Sequence, residues 1–412
     1  MASITEYALI ASVALSLVSI AYYIINSVGS LKLQSKADAE GRGIADDVTI
    51  VVPVYNEDED TFRKCISSLS AQGAGLVVVG DSSLEPFQSI TKEYGGRFVH
   101  QQARRGKRGS ISNAMRYVHT KYVLFVDSDT VVPSGAVKSM LSRFSDTVGG
   151  VGAAVSANVQ KTNRVSYCSE FFEKLKEVIF RSMSMHGSVM VLDGRCAMYR
   201  TELVKDFMLS KEYTENRVLG KRSLLAEDRH LTSHVIKSGF KAVIDYEVIV
   251  VTAPQKSFKL MFKQMVRWSR AGYFYFFREL TDGTYFRRGL FYSFEMTYMY
   301  LFPIALVLVS FLRLQPLFAH GVSRYLSYQA SHLAYLMSLN FAALGHVSLI
   351  YTWMEVLVLI GLAVFGIAIA ARIAKGRKLK TLIYGIVALL MMFVASIYGF
   401  LTVWRQDAWL TR

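Results

Sequence analysis

Two carboxylates one residue apart, Asp127 and Asp129, follow the hydrophobic run Tyr122 to Val126 in the segment Val126-Asp127-Ser128-Asp129. Carboxylates so placed at a strand end can hold a hard divalent ion through oxygen ligands, and such an ion neutralises a diphosphate. The competing reading is an Asx-type turn. About 100 residues on, Ala226-Glu227-Asp228-Arg229-His230 opens an apolar helical stretch. Asp228 there suits a general base that takes the proton of an attacking hydroxyl, whereas acids in a first helical turn also complement the helix dipole. In Gln264-Met265-Val266-Arg267-Trp268 the spacing puts Gln264, Arg267 and Trp268 on one helical face. Amide and guanidinium bind phosphate oxygens and an indole supports a sugar ring, but the same face also describes an amphipathic helix lying on a membrane.

Weaker signals accompany these three. Tyr55, in Pro53-Val54-Tyr55-Asn56-Glu57, and Asp81 each follow a short apolar run and suit contacts to a nucleotide base. Lys107 and Arg108, after Gly106, suit phosphate contacts or are solvated charges.

The elements that must carry these residues are legible from hydropathy. Val48 to Val54, Leu76 to Val79 and Tyr122 to Val126 are short apolar runs, with helical stretches at Asp60–Leu69 and Ser110–Val118 between them. That alternation predicts parallel strands with crossover helices, and ligands bind beyond the carboxyl ends of such strands. The hydrophobic fraction of 52% and mean hydropathy of +0.28 are too apolar for an ordinary soluble enzyme. The excess sits in the flanks. Tyr7 to Val28 is long enough to cross a hydrocarbon core of ~30 Å, and Phe291–Leu312, Trp353–Ala371 and Thr381–Val403 are three further spans. Arg313–Tyr351 is mixed in polarity and stays unassigned. The chain divides into an N-terminal helix (1–30), a catalytic domain (46–250), interfacial helices (251–288) and a C-terminal membrane region (289–412).

No Lys or Arg precedes the first span, and the first basic residue is Lys32. That pattern argues against a cleaved signal peptide and puts the N-terminus outside and the catalytic domain in the cytosol, with the plasma membrane as the expected location. The loop Arg372 to Lys380, with five basic residues, belongs on the same side. Cys65, Cys168 and Cys196 are spaced for neither a disulfide framework nor a zinc site and read as reduced thiols. The charge of +15 comes with no nucleic-acid motif, so membrane lipid and a diphosphate donor explain it better than nucleic acid. No obligate protein partner is implied.

Taken together, PVYNE, the strand-end Asp81, the DSD, the EDR and the QxxRW at a membrane border resemble the processive glycosyltransferases of family 2: hyaluronan, chitooligosaccharide, capsule and cellulose synthases. Leu192-Asp-Gly-Arg-Cys-Ala-Met-Tyr-Arg200 is similar to their acceptor segment, and Trp409-Leu410-Thr411-Arg412 to the WGTR ending of hyaluronan synthases. The resemblance implies an α/β domain of GT-A type with a transmembrane helical bundle. It implies an inverting transfer from a UDP-sugar to a growing glycan, with Mg2+ or Mn2+ as cofactor and secretion of the polymer.

The roles it carries over are these. Tyr55 and Asp81 bind uracil, and Lys107 the donor phosphates. Asp127 contacts the donor nucleotide, Asp129 the metal, and Asp228 is the base. Gln264, Arg267 and Arg412 hold the diphosphate, while Trp268, Gly194 and Arg195 meet the acceptor. Two positions depart from the family: Gly80 stands where an acid is usual, and Gly194-Arg195 where hyaluronan synthases favour Gly-Pro. A lipid glycosyltransferase of the ceramide type, adding one sugar, and an inactive membrane scaffold are the rival readings. Four spans would put Arg412 outside, whereas the WGTR likeness wants it in the cytosol. A re-entrant Thr381–Val403, broken at Gly385 or Gly399, or a further span hidden in Arg313–Tyr351 would reconcile the two, and a cytosolic C-terminus is expected.

Overall fold

The computed structural model describes residues 4–32, 43–160, 162–218, 221–223, 225–320 and 346–405. Helix α1 (Ile4–Lys32) leads into a catalytic domain built on one sheet. The predicted runs form β1 (Val48–Val54), β2 (Gly75–Asp81) and β4 (Tyr122–Val126). With β3 (Arg97–Gln101) they make a parallel half-sheet in the order β3-β2-β1-β4. Beyond β4 the order continues through β6 (Cys196–Arg200), β5 (Val148–Ala157) and β9 (Lys241–Thr252). A short hairpin of β7 (Arg217–Val218) and β8 (Lys221–Arg222) stands apart.

The sheet is mixed, not wholly parallel. β6 runs antiparallel to both of its neighbours, so it enters from the edge where β1, β2 and β4 end. Residues 192–195 before it are thereby delivered to that edge.

Alternation along β1 splits the core in two. Val48, Ile50, Val52 and Val54 pack with Phe62, Ile66 and Leu69 of α2 (Glu59–Ser70). Val51, on the other face, joins Ile111 of α4 (Gly106–Ala114) and Leu175 and Val178 of α6 (Arg164–Met185). Ile50 is 0% exposed, and truncating such a side chain to Ala costs about 2–5 kcal/mol. The smaller helices α3 (Phe87–Glu93), α5 (Ala136–Leu141), α7 (Thr201–Leu209) and α8 (Lys211–Thr214) complete the shell.

Two helices frame the site: α9 (Glu227–Lys237), which opens on the EDR, and α10 (Phe258–Thr281), which carries the QxxRW. After α11 (Thr284–Arg287) come α12 (Leu290–His320), α13 (His346–Ala370) and α14 (Lys378–Phe400). Among the described residues four helices are long and apolar enough to cross a membrane: Ile10–Leu31, Leu290–Leu312, Trp353–Ala370 and Lys375–Phe400. These mark a membrane protein. Their packing is continuous with the catalytic core, since Tyr22, Tyr292, Met296 and Phe365 belong to the cluster that holds Val51.

The basic loop between α13 and α14 lies on the catalytic side. Arg372 donates to the Ser30 carbonyl (2.9 Å) and pairs with Glu177 of α6 (3.5 Å). Buried Glu170 of α6 accepts from Arg377 (2.9 Å) and Thr381 (2.7 Å). α14 is not broken at its glycines. Gly385 lies inside the helix, where a Cβ would come within 2.4 Å of Phe171, and Gly399 closes on Ser269 in the same way (2.6 Å). These glycines permit close packing on α6 and α10 instead of a re-entrant turn. Most of the unassigned Arg313–Tyr351 lies outside the described residues. The three cysteines are free and buried, as reduced structural thiols are.

Candidate active site

Because β2, β1 and β4 are parallel neighbours, their last residues line one edge of the sheet and bring Tyr55, Asp81 and Asp127 together. The antiparallel β6 starts at the same edge, with Cys196 opposite Val126. Gly194 and Arg195 therefore sit beside Asp127, whose N–H donates to the Arg195 carbonyl (3.1 Å). The DSD is also a turn, since the Thr130 N–H donates to the Asp127 carbonyl (3.0 Å). The turn aims Asp129 outward, exposed, and tucks Ser128 inward to donate to Glu57 (3.1 Å).

Lys107, in the first turn of α4, ties three motifs together. Its ammonium lies 2.6 Å from Asp127 Oδ1, 2.9 Å from Glu227 Oε1 and 3.4 Å from the Gly194 carbonyl. Pro53, Lys107, Asp127, Gly194, Glu227 and Asp228 line one cleft. Burial alone would push the Lys107 ammonium down, but the Asp127 and Glu227 carboxylates hold it well above its usual range. Lys107 in turn overrides burial at Glu227 and keeps that carboxyl low. Asp228 behaves in the opposite way. Burial, reinforced by the adjacent Glu227 charge, raises its carboxyl to about 6, against the pull of Lys107. A carboxylate with that affinity for protons has the character of a general base near neutral pH.

The turn before α9 is strained. Ala226 adopts φ 55° and ψ 51°, a left-handed conformation uncommon outside Gly and Asn, and offers no side-chain cap. Asp228 takes its local hydrogen bonds from Arg229 N–H (2.7 Å) and Gly194 N–H (3.4 Å). The acids of the EDR occupy the first helical turn, and both Glu227 and Asp228 line the cleft.

On α10, Gln264, Arg267 and Trp268 are half-buried on one face, and Arg267 lies within electrostatic reach of Glu227, Asp228 and Asp127. Trp268 stacks on Phe172 of α6, with ring centroids 5.1 Å apart. Next to them Arg195 pairs with Glu173 and Asp193, and Lys176 pairs with the same two acids. Burial works against the Asp193 charge, yet Arg195 and Lys176 together hold it below the usual carboxylate range.

Other expected site residues have different surroundings. Asp81 is 3% exposed, and its oxygens accept from Gln101 Nε2 (2.8 Å), Arg105 N–H (2.7 Å) and Gly106 N–H (2.9 Å). Its carboxylate builds the loop that presents Lys107. Gly80 is required sterically, because a Cβ would stand 2.1 Å from the Ser83 carbonyl. Tyr55 lies under the Arg104 guanidinium at 3.9 Å. Arg108 points away from the cleft and is buried, donating to the carbonyls of Tyr213 (3.1 Å) and Leu225 (3.0 Å). Arg412 and the rest of Trp409–Arg412 lie outside the described residues.

Sequence reasoning missed Glu227 as a partner of Lys107, although it stood inside the EDR. It also missed Phe172 and Lys176, for which an amphipathic helix without a motif gives no signal.

Among the described residues no cluster of three His, Cys, Asp or Glu side chains is arranged for a metal. Asp129 is exposed beside the cleft.

Known proteins agree with this architecture. A mannosyltransferase from Pyrobaculum calidifontis, solved with GDP-Man and Mn2+, superposes with a TM-score of 0.59 at 18% identity over 88% of this chain and 98% of its own. That likeness shows the GT-A fold. An N-acetylglucosaminyltransferase of Azorhizobium caulinodans is 29% identical over 281 residues, 64% of this chain and 70% of that protein. One from Mesorhizobium japonicum is 27% identical over 54% of this chain and 55% of its own. A hyaluronan synthase of Streptococcus pyogenes is 27% identical over 56% and 57%. The chain thus spans little more than half of the latter two. Residues 45–271, more than half of the chain, match the family described as Glycosyltransferase like family 2. The chain belongs to that family and is a nucleotide-sugar-dependent glycosyltransferase.

Proposed function

We propose that this protein is a processive, inverting polysaccharide synthase that uses UDP-sugars at the cytosolic face of the plasma membrane and passes its polymer outward. The observation that carries the reading is the junction at Lys107, where the DSD, the EDR and the acceptor segment meet within hydrogen-bonding distance of one ammonium.

In this reading Tyr55 meets the base, and Asp81 shapes that end of the site through the loop it anchors. Lys107, Asp127, Gln264 and Arg267 hold the diphosphate. A divalent Mg2+ or Mn2+ at Asp129 would supply charge neutralisation for the departing nucleoside diphosphate. Asp228 removes the acceptor hydroxyl proton as that oxygen attacks the anomeric carbon, and one such displacement inverts the configuration. Gly194, Arg195 and Trp268 orient the acceptor, the indole already being fixed in direction by Phe172.

The test is UDP release by the purified full-length protein across a panel of UDP-sugars, followed by sizing of the product. UDP-N-acetylglucosamine heads the panel because relatives are named N-acetylglucosaminyltransferases. Long chains support the reading, a single sugar on lipid replaces it with a lipid glycosyltransferase, and no release from any donor refutes it.

A further inference from the structure

The helix that bears Asp228 is held in place by a carboxylate that lies outside every motif above. Glu279, near the end of α10, is 0% exposed. Its Oε1 accepts from Ser233 Oγ (3.2 Å) and from Arg229 Nη2 (3.4 Å), and its Oε2 accepts from the Tyr292 hydroxyl (2.7 Å). Arg288 stands 3.7 Å from the same carboxylate and donates to the Tyr292 hydroxyl (2.6 Å) and the Ser233 carbonyl (3.3 Å). Glu279 therefore joins α9, its own helix α10 and the start of α12.

The position of these contacts matters. Arg229 directly follows Asp228, and its backbone N–H is the shorter of the two hydrogen bonds to that carboxylate. Arg229 and Ser233 are four residues apart, on one face of α9. The turn entering α9 is strained at Ala226 and has no side-chain cap; from its N-terminal side it is held by the Lys107–Glu227 pair (2.9 Å) and the Arg108 bond to the Leu225 carbonyl (3.0 Å). Thr232 holds another face, accepting from Leu192 N–H (3.0 Å) and donating to the Asp228 carbonyl (2.8 Å). Against the face that carries Arg229, Glu279 supplies the counter-charge, and the Tyr292 hydroxyl (3.5 Å) and Met296 sulfur (3.4 Å) complete the contacts of its guanidinium.

We infer that Glu279 is a positioning residue for glycosyl transfer: by fixing Arg229 and Ser233 it sets Asp228 relative to Arg267 and Trp268 on its own helix. This rests on the reading of Asp228 as the base. Neutralising Glu279 leaves Arg229 buried without its counter-charge, and the first turn of α9 shifts to relieve it. Among the donor contacts, Asp127 on β4 does not pass through this network; Lys107 on α4 meets α9 through Glu227 (2.9 Å) but is also held by Asp127 (2.6 Å).

The experiment compares Glu279→Gln, Glu279→Asp and Asp228→Asn in the full-length protein, with UDP-N-acetylglucosamine or whichever UDP-sugar the wild type turns over. Rates are normalised to donor-binding sites, so loss of folded protein does not count. The expected result for Glu279→Gln is a fall in kcat of roughly 10- to 100-fold, the scale of a misplacement of about 1 Å. The donor KM should stay within about threefold, as for an interaction made in the transition state, and Glu279→Asp should recover part of the kcat. If Glu279→Gln does not fold, Ser233→Ala and Tyr292→Phe each remove one hydrogen bond to Glu279 and should lower kcat in smaller steps. A normal kcat in Glu279→Gln, or in both substitutes, overturns the inference. With Asp228→Asn inactive, that failure leaves the base assignment standing; an active Asp228→Asn removes both.

Discussion

Replacing Asp228 by Asn should abolish transfer and at the same time stabilise the folded protein. The carboxyl is raised from 3.8 to about 6, first by burial and then by the neighbouring Glu227 charge. A carboxylate raised on folding binds its proton more tightly in the folded state. Its favourable contribution is present in full below about pH 4 and is lost as the pH rises through about 6. At pH 8 the wild type therefore carries an ionised Asp228 at a cost bounded by about 3 kcal/mol, taking about 1.36 kcal/mol for each pH unit. Screening of a side chain that is not fully buried leaves about 1–2 kcal/mol. Asn keeps the shape and carries no charge, but the two N–H groups meet different oxygens of Asp228, so its single amide oxygen keeps the Arg229 bond (2.7 Å) and gives up the longer Gly194 one (3.4 Å). The assay is a thermal melt of purified wild type and variant from pH 4 to pH 8, beside UDP release. The Asp228→Asn protein should melt a few degrees higher at pH 8, since about 1 kcal/mol moves a large domain by roughly 2–4 °C. The gap should close toward pH 4, while the transfer rate drops roughly 10²–10⁴-fold. A variant that is less stable at pH 8, or a gap independent of pH, refutes the electrostatic reasoning; transfer at the wild-type rate refutes the base.

Asp129→Ala should lose activity together with its dependence on added Mg2+ or Mn2+, and wild-type turnover in EDTA would contradict the metal assignment. Gly80→Ala should destabilise the domain by roughly 1–3 kcal/mol in a denaturant titration, the usual cost of overpacking, because its Cβ would meet the Ser83 carbonyl. Gly376→Cys, in the exposed basic loop, should react with an impermeant thiol reagent only after permeabilisation, since the native cysteines are buried. Labelling of intact cells would place that loop, and the catalytic side with it, outside.

Much of this protein is legible in one sequence because its signals are local. The apolar runs of β1, β2 and β4 ended where the turns began, so Tyr55, Asp81 and Asp127 could be placed at strand ends before any pairing was known. The face of α10 follows from helical periodicity, and four spans follow from length and hydropathy. Tertiary structure decided what sequence spacing cannot encode. The reversal of β6 delivers Gly194 and Arg195 to the ligand edge, and strand direction is a property of long-range pairing. Whether Lys107 or Arg108 enters the cleft depends on the rotation of α4: one residue meets Asp127 and Glu227, and its neighbour is pinned to carbonyls behind them. Asp81 and Asp228 look alike as acids beside apolar elements. Burial spends the first on backbone donors of a loop, while next to Glu227 it raises the second to about 6. That difference lies in which charges and N–H groups surround each carboxylate, and only the folded chain brings those together.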